Sequence, residues 1–285
     1  MLNFILRAPL TLASLFREAN QNKHFSVAEK AQAFSVLCKL FIKQRLRPQQ
    51  TATVQVKLFG LRLQAYSYSA LIFLFREIFL YESYYFEAET PAPLIIDGGA
   101  NIGISALYFK YLYPRSTILA FEPNPTACAL FRQNIHSNQL QNVTLVPIGL
   151  GKHRRELSFY TSEVKGSLIA SFQKNSLLQE IKVPVEKLSE YIRRYTPELV
   201  KLDVEGAEID IVQELKAAGV LAIPTQYLIE YHPAAQESAT AFAAFKQVFQ
   251  EGGFTYQIRN LDGSPKQDLL LHIYKSGEPT GPAST

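Results

Sequence analysis

Four carboxylates close short, mostly apolar runs in this 285-residue chain: Asp97 after Leu94-Ile95-Ile96, Glu122 after Ile118-Leu119-Ala120-Phe121, Asp203 after Leu199-Val200-Lys201-Leu202, and Glu230 after Tyr227-Leu228-Ile229. Runs of this kind read as buried strands, and acids at their ends gather charge at one edge of a sheet. Asp97 leads directly into Gly98-Gly99-Ala100-Asn101-Ile102-Gly103 and then the helical pattern Ile104–Tyr113. Strand, tight turn and helix N-terminus in that order hold a nucleotide-like ligand against backbone N–H groups. Gly99 permits the turn, Gly103 lets the helix pack closely, and asparagine at 101 tolerates left-handed backbone. Glu122 follows roughly 20 residues beyond Gly103, where an acid accepts hydrogen bonds from both ribose hydroxyls of an adenosine moiety.

Two cofactor classes place a ribose at such an acid: nicotinamide dinucleotides and S-adenosylmethionine. Asp97 tilts the choice. A carboxylate directly before the glycines would repel a pyrophosphate, whereas the sulfonium and amino groups of S-adenosylmethionine are cationic. Asp203 opens a denser constellation, Lys201-Leu202-Asp203-Val204-Glu205-Gly206-Ala207-Glu208. Acids at the start of a helix complement its dipole, which accounts for Glu205 or Glu208 singly. It accounts less well for Lys201, Asp203 and Glu205 crowding one strand end. His232 has the ordinary pKa range of a general base, or is a histidine satisfied by a backbone carbonyl. Asp203, Glu205 and His232 together carry donor types that hold Mg2+ or Mn2+, although no metal is expected.

The elements that position these residues follow from periodicity. From Leu94 onward strands and helices alternate, with strands at Ile95-Ile96, Thr117–Phe121, Val143–Ile148, Leu199–Leu202, Gln226–Tyr231, Thr255–Arg259 and Leu269–Tyr274. Helices fall at Ile104–Tyr113, Pro125–Ser137, Ala207–Ala218 and Thr240–Gln250, and shorter strands at Glu156–Tyr160 and Lys182–Val185 flank a polar loop. This α/β pattern predicts a mainly parallel sheet covered on both faces, with ligands outside the carboxyl ends of its strands. Residues 1–90 read as an extension with a helix at Ala28–Leu46, a β-hairpin turning at Phe59-Gly60, and a helix at Leu71–Tyr81. The aromatics from Phe73 to Phe86 either line an acceptor site or form core. Residues 91–276 form the α/β domain and 277–285 a loose tail.

Composition sets limits. At 47% hydrophobic and 19% charged the chain has the material for a sizeable core. A net charge of +4 with scattered basic residues argues against a nucleic-acid platform. Two distant cysteines, Cys38 and Cys128, fit a reducing, cytoplasmic compartment. Met1–Phe16 is apolar but broken by Arg7 and Pro9. It reads as a helix packed on the main domain, with a membrane-surface helix as the alternative, and no stretch is long enough for a transmembrane segment.

Asp97-Gly98-Gly99-Ala100-Asn101-Ile102-Gly103, Phe121-Glu122-Pro123-Asn124, Val200-Lys201-Leu202-Asp203-Val204-Glu205-Gly206-Ala207-Glu208 and Ile229-Glu230-Tyr231-His232-Pro233 resemble the successive motifs of FkbM-type S-adenosylmethionine-dependent methyltransferases. The resemblance covers Leu94 to Pro233. It implies a class I methyltransferase Rossmann-like fold with a mainly parallel seven-stranded sheet whose last strand is antiparallel. It implies methyl transfer to a hydroxyl of a sugar, glycan or natural product. By position, Asp97, Gly99, Asn101, Gly103, Glu122 and Asn124 would bind S-adenosylmethionine, while Asp203, Glu205, Glu230 and His232 would face the acceptor. Ser167 looks like a serine the family often carries. Lys152 departs from the pattern, standing where an acid is common. The competing readings are an NAD-dependent oxidoreductase and a cofactor-binding module without turnover.

Overall fold

The computed structural model describes residues 12–47, 53–161, 170–171, 179–232, 239–260 and 268–275. Ser167, Pro233 and the tail 277–285 lie outside the described residues. The strands are β1 (Val54–Leu58), β2 (Leu61–Ala65), β3 (Leu94–Gly98), β4 (Thr117–Phe121), β5 (Val143–Val146), β6 (Gly149–Leu150), β7 (Arg155–Thr161), β8 (Ala170–Ser171), β9 (Gln179–Glu186), β10 (Leu199–Leu202), β11 (Gln226–Tyr231), β12 (Phe254–Asn260) and β13 (Leu269–Lys275).

Seven of them build the main sheet in the order β12-β13-β11-β10-β3-β4-β5. β3, β4, β5, β10 and β11 pair in parallel, and β13 inserts antiparallel between β11 and β12. This is a Rossmann-like α/β sheet with the last strand reversed, as the resemblance implied. From β3 the chain steps outward through β4 and β5, then returns to β3's other side with β10. The β3–β10 seam is therefore the switch point, where ligands bind in such sheets. All four residues of β10 are buried, as a central parallel strand covered on both faces requires. One apolar cluster on the sheet contains Ile95 and Phe109, and the other contains Val200, Ile211, Tyr227 and Phe249.

The extension shares the first of these clusters, since Leu37, Phe79 and Phe86 pack in it with Ile95 and Phe109. The helix Val27–Leu46 starts at a capping box, in which Ser26 and Glu29 satisfy each other's backbone N–H groups. The hairpin β1–β2 turns at Phe59 and Gly60, both at positive φ. The helix expected over Leu71–Tyr81 is an α-helix at Tyr68–Leu74 running into a π-helical turn at Phe75–Leu80. The short strands expected at Glu156–Tyr160 and Lys182–Val185 are β7 and β9, which with β6 and β8 form a separate small sheet. The helix Leu188–Tyr195 that follows was not expected. That helix is two turns long and anchors on Leu188 and Ile192, too short a repeat to register as periodic.

The glycine turn after β3 is forced by close approach. Gly99 has φ +77°, and a Cβ there would stand 1.7 Å from the Asp203 carbonyl oxygen. Gly60 has a similar φ of +81° but open space around it. Gly60→Ala is thus expected to cost only the left-handed strain, about 1–2 kcal/mol. Gly99→Ala adds a backbone clash, so its loss in thermal unfolding should be clearly larger; equal losses would contradict the contact.

Candidate active site

Asp97 and Lys201 are register partners across the β3–β10 seam. The Lys201 ammonium lies 3.2 Å from Asp97 Oδ1 and 3.6 Å from Asp203 Oδ2. It also donates to the Gly99 carbonyl at 2.9 Å, and sits 5.0 Å from the centre of the Tyr84 ring. Burial pulls its pKa down, but Asp97, Asp203 and Glu230 more than reverse this, so the net shift is upward and the ammonium stays charged. Ser105 donates to Asp97 Oδ2 at 2.6 Å. The Asp97 carboxylate is therefore fully buried and already matched by a cation. Its two oxygens face Lys201 and Ser105 at the end of β3, beside the glycine turn. Lys201 is one of the site residues to which sequence reasoning gave no role, although a lysine inside Leu-Val-Lys-Leu is a signal, because lysine is rarely fully buried without a partner.

The turn closes through Gly99 and Ala100, whose N–H groups both donate to the Phe121 carbonyl. Asn101 takes φ 47°, the left-handed conformation expected of it. Gly103 has φ +84°, and a Cβ there would meet the Phe131 ring at 2.7 Å, so glycine lets the helix Ile104–Leu112 pack close. Glu122 stands beside the turn and accepts from the N–H groups of Asn101 and Asn124, each at 2.8 Å. Burial pushes its pKa up to about 7 against these two amides. Asp97, Gly99, Asn101, Gly103 and Glu122 thus form one continuous edge. The Asn124 side chain caps the helix Pro125–Ser137 through the Thr126 N–H. Lys152 bonds to Gln213 at the surface.

The second edge gathers Asp203, Glu205, Glu230 and His232 from the ends of β10 and β11. Tyr84 joins them from the extension: its hydroxyl donates to Glu230 Oε1 at 2.5 Å and lies 3.4 Å from Asp203 Oδ2. Burial and the neighbouring Asp203 raise the Glu230 pKa. Phe75, Phe79 and Phe86 are core, so the aromatic run divides, with Tyr84 serving the site. Its position is fixed from several sides. Arg76 makes a two-pronged bond to Glu18 at 2.7 Å and stacks over Phe41, and Asn22 holds the Phe79 carbonyl. No sequence signal marked Tyr84 over its neighbours.

His232 Nδ1 meets Glu208 Oε1 at 2.9 Å, and Nε2 lies 3.8 Å from Asp203 Oδ1. Glu208 also accepts from the N–H groups of Val204 and Gly206 at 3.2 Å, so it pins the loop as well as the ring. A carboxylate, not a backbone carbonyl, therefore satisfies the histidine. Burial pulls the imidazole pKa down, but the Glu208 bond and the charges of Asp203, Glu208 and Glu205 carry it up to about 10. A shift of this size favours the charged ring at neutral pH.

Because the folded value lies above the ordinary 6.5, this pairing stabilises the fold fully below pH 6.5 and is lost as pH rises toward 10. The stability gap between the native chain and His232→Gln, measured by chemical denaturation, should narrow across that window. A gap independent of pH would contradict the pairing.

Residues 97–256 match the family model of the methyltransferase FkbM domain. Methyltransferase 1 of Beauveria bassiana is 30% identical over 223 residues, covering 70% of this chain and 87% of that protein. Methyltransferase sdnD of Sordaria araneosa is 31% identical over 187 residues, 53% of this chain and 72% of that one. The 2-O-methyltransferase NoeI of Sinorhizobium fredii is 28% identical over 146 residues, 44% and 58% respectively. Among solved structures, an FkbM methyltransferase from Methylobacillus flagellatus superposes with a TM-score of 0.50 at 13% identity, covering 92% of this chain and 58% of that chain's length, a likeness of fold. A family model matched over more than half of its length, and a relative matched over most of its own, show that the chain belongs to the FkbM methyltransferase family.

Proposed function

We propose that this methyltransferase moves a methyl group from S-adenosylmethionine to a hydroxyl oxygen of a sugar, glycan or other small molecule. One observation carries the reading: the Gly99 backbone lies directly against the Asp203 carbonyl, so the cofactor turn and the candidate base are neighbours. The residues suit the cofactor. Glycine at 99 lets the turn close against Asp203, and Glu122 beside that turn is an acceptor of the kind a ribose needs. When bound, S-adenosylmethionine supplies an activated methyl group, whose sulfur–carbon bond breaks as the oxygen–carbon bond forms and the sulfonium becomes a neutral thioether.

The chain's own residues do the rest. Asp203 takes the hydroxyl proton as the new bond forms. Glu230, held by Tyr84, and Glu205 orient acceptor hydroxyls, and His232 balances the local negative charge. Alignment and exclusion of water account for much of the rate, because the donor is already activated. The O-methyltransferase name of the Sinorhizobium relative supports oxygen as the methylated atom. The mild net charge of +4 supports a small-molecule or glycan acceptor over nucleic acid. Cys38 and Cys128 are both free thiols, in keeping with a cytoplasmic setting. No helix among the described residues is long and apolar enough to cross a membrane.

The test combines calorimetric titration with S-adenosylhomocysteine and NAD, and labelled-cofactor turnover on a panel of glycosides. S-adenosylhomocysteine should bind and NAD should not. Asp203→Asn should keep that affinity while turnover falls by about 10²- to 10⁴-fold, the range for losing a general base. Full turnover in the variant would remove Asp203 from the role, and NAD binding in place of S-adenosylhomocysteine would overturn the reading.

A further inference from the structure

We propose that Asp203, Glu205 and His232 form a divalent-cation site, of the Mn2+ and Mg2+ class, at the carboxyl ends of β10 and β11. One donor atom from each lies within 4.8 Å of the others. The donors come from two separate chain segments: Asp203 and Glu205 follow β10, and His232 follows β11. The 3.8 Å between His232 Nε2 and Asp203 Oδ1 is too long for a hydrogen bond. It suits two donors sharing an ion, since bonds of roughly 2.1 Å to a common centre place ligands about 3 to 4 Å apart.

A further observation lies outside the trio. Glu208, nearly inaccessible, grips the opposite ring nitrogen, Nδ1, and is itself held by two backbone N–H groups. That fixes the ring with Nε2 facing the carboxylates. A carboxylate behind the imidazole is how proteins orient and strengthen metal-ligating histidines. The two oxygens of Asp203 are divided to match: Oδ2 faces Lys201 and Tyr84, leaving Oδ1 toward His232. Mixed carboxylate and imidazole donors fit Mn2+ or Mg2+ better than a soft, thiolate-seeking ion. Ion and proton are alternatives at Nε2.

Three protein donors leave coordination positions open on the acceptor side. An acceptor hydroxyl bound there would be oriented and made more acidic. This catalytic value rests on the methyl-transfer reading; ion binding itself does not.

The experiment uses the full chain, stripped with chelator and titrated with Mn2+ while the free ion is followed by electron paramagnetic resonance. S-adenosylhomocysteine affinity is measured separately. One Mn2+ should bind per chain and be displaced by excess Mg2+. Glu208→Gln should weaken it by about 10- to 100-fold, the effect of losing a partner behind a ligating histidine. Glu205→Gln, in an exposed loop and safe for folding, should also weaken it, and both variants should keep S-adenosylhomocysteine affinity. No saturable Mn2+ binding, or equal Mn2+ affinity in Glu205→Gln and the native chain, would overturn the site. Cofactor-product binding without Mn2+ would leave the methyl-transfer reading standing, and Mn2+ binding without it would remove that reading instead.

Discussion

A lysine and an aspartate buried against each other at the sheet's switch point set the terms for the rest of this molecule. Taking both charges out of water costs several kcal/mol each, recovered only when geometry and hydrogen bonding are good. Here Lys201 reaches Asp97 and the Gly99 carbonyl, and Ser105 covers the other oxygen of Asp97. The same ammonium points toward Asp203. One cation therefore ties the turn after β3 to the strand end of β10, the two edges between which methyl transfer would occur.

The extension completes this arrangement. Its π-helical turn is locked by the Glu18–Arg76 pair and leads the chain to Tyr84, whose hydroxyl bonds Glu230. Arg259 of β12 meets the Tyr81 and Glu82 carbonyls from the other side. The site thus draws on both the parallel sheet and the segment before it. A π-helical turn here agrees with the tendency of such turns to occur at functional sites.

Much of this was legible in the residues. β4, β10 and β11 fall on the runs read as strands, because central parallel strands are short, mostly apolar blocks with clear ends. Gly99, Asn101 and Gly103 were legible because positive φ restricts residue choice so strongly. What escaped was non-local. Asp97 is paired with Lys201 and His232 with Glu208, each pairing made by side chains brought together only by folding. Tyr84 was one aromatic in a run of aromatics, and only tertiary packing separates it from Phe79 and Phe86. Of the small sheet, β7 and β9 fall on the two short runs read as strands, while β6 and β8 are two residues each, too short to carry a pattern.

Lys201 and Asp97 act as one unit joining the two edges. A double-mutant cycle of Lys201→Met and Asp97→Asn, read by chemical denaturation, tests it most directly. Lys201→Met alone leaves a buried carboxylate uncompensated and should cost about 3–5 kcal/mol. The double variant should lose less than the sum of the single losses, with a coupling of about 0.5–3 kcal/mol. Strictly additive losses would contradict the claim.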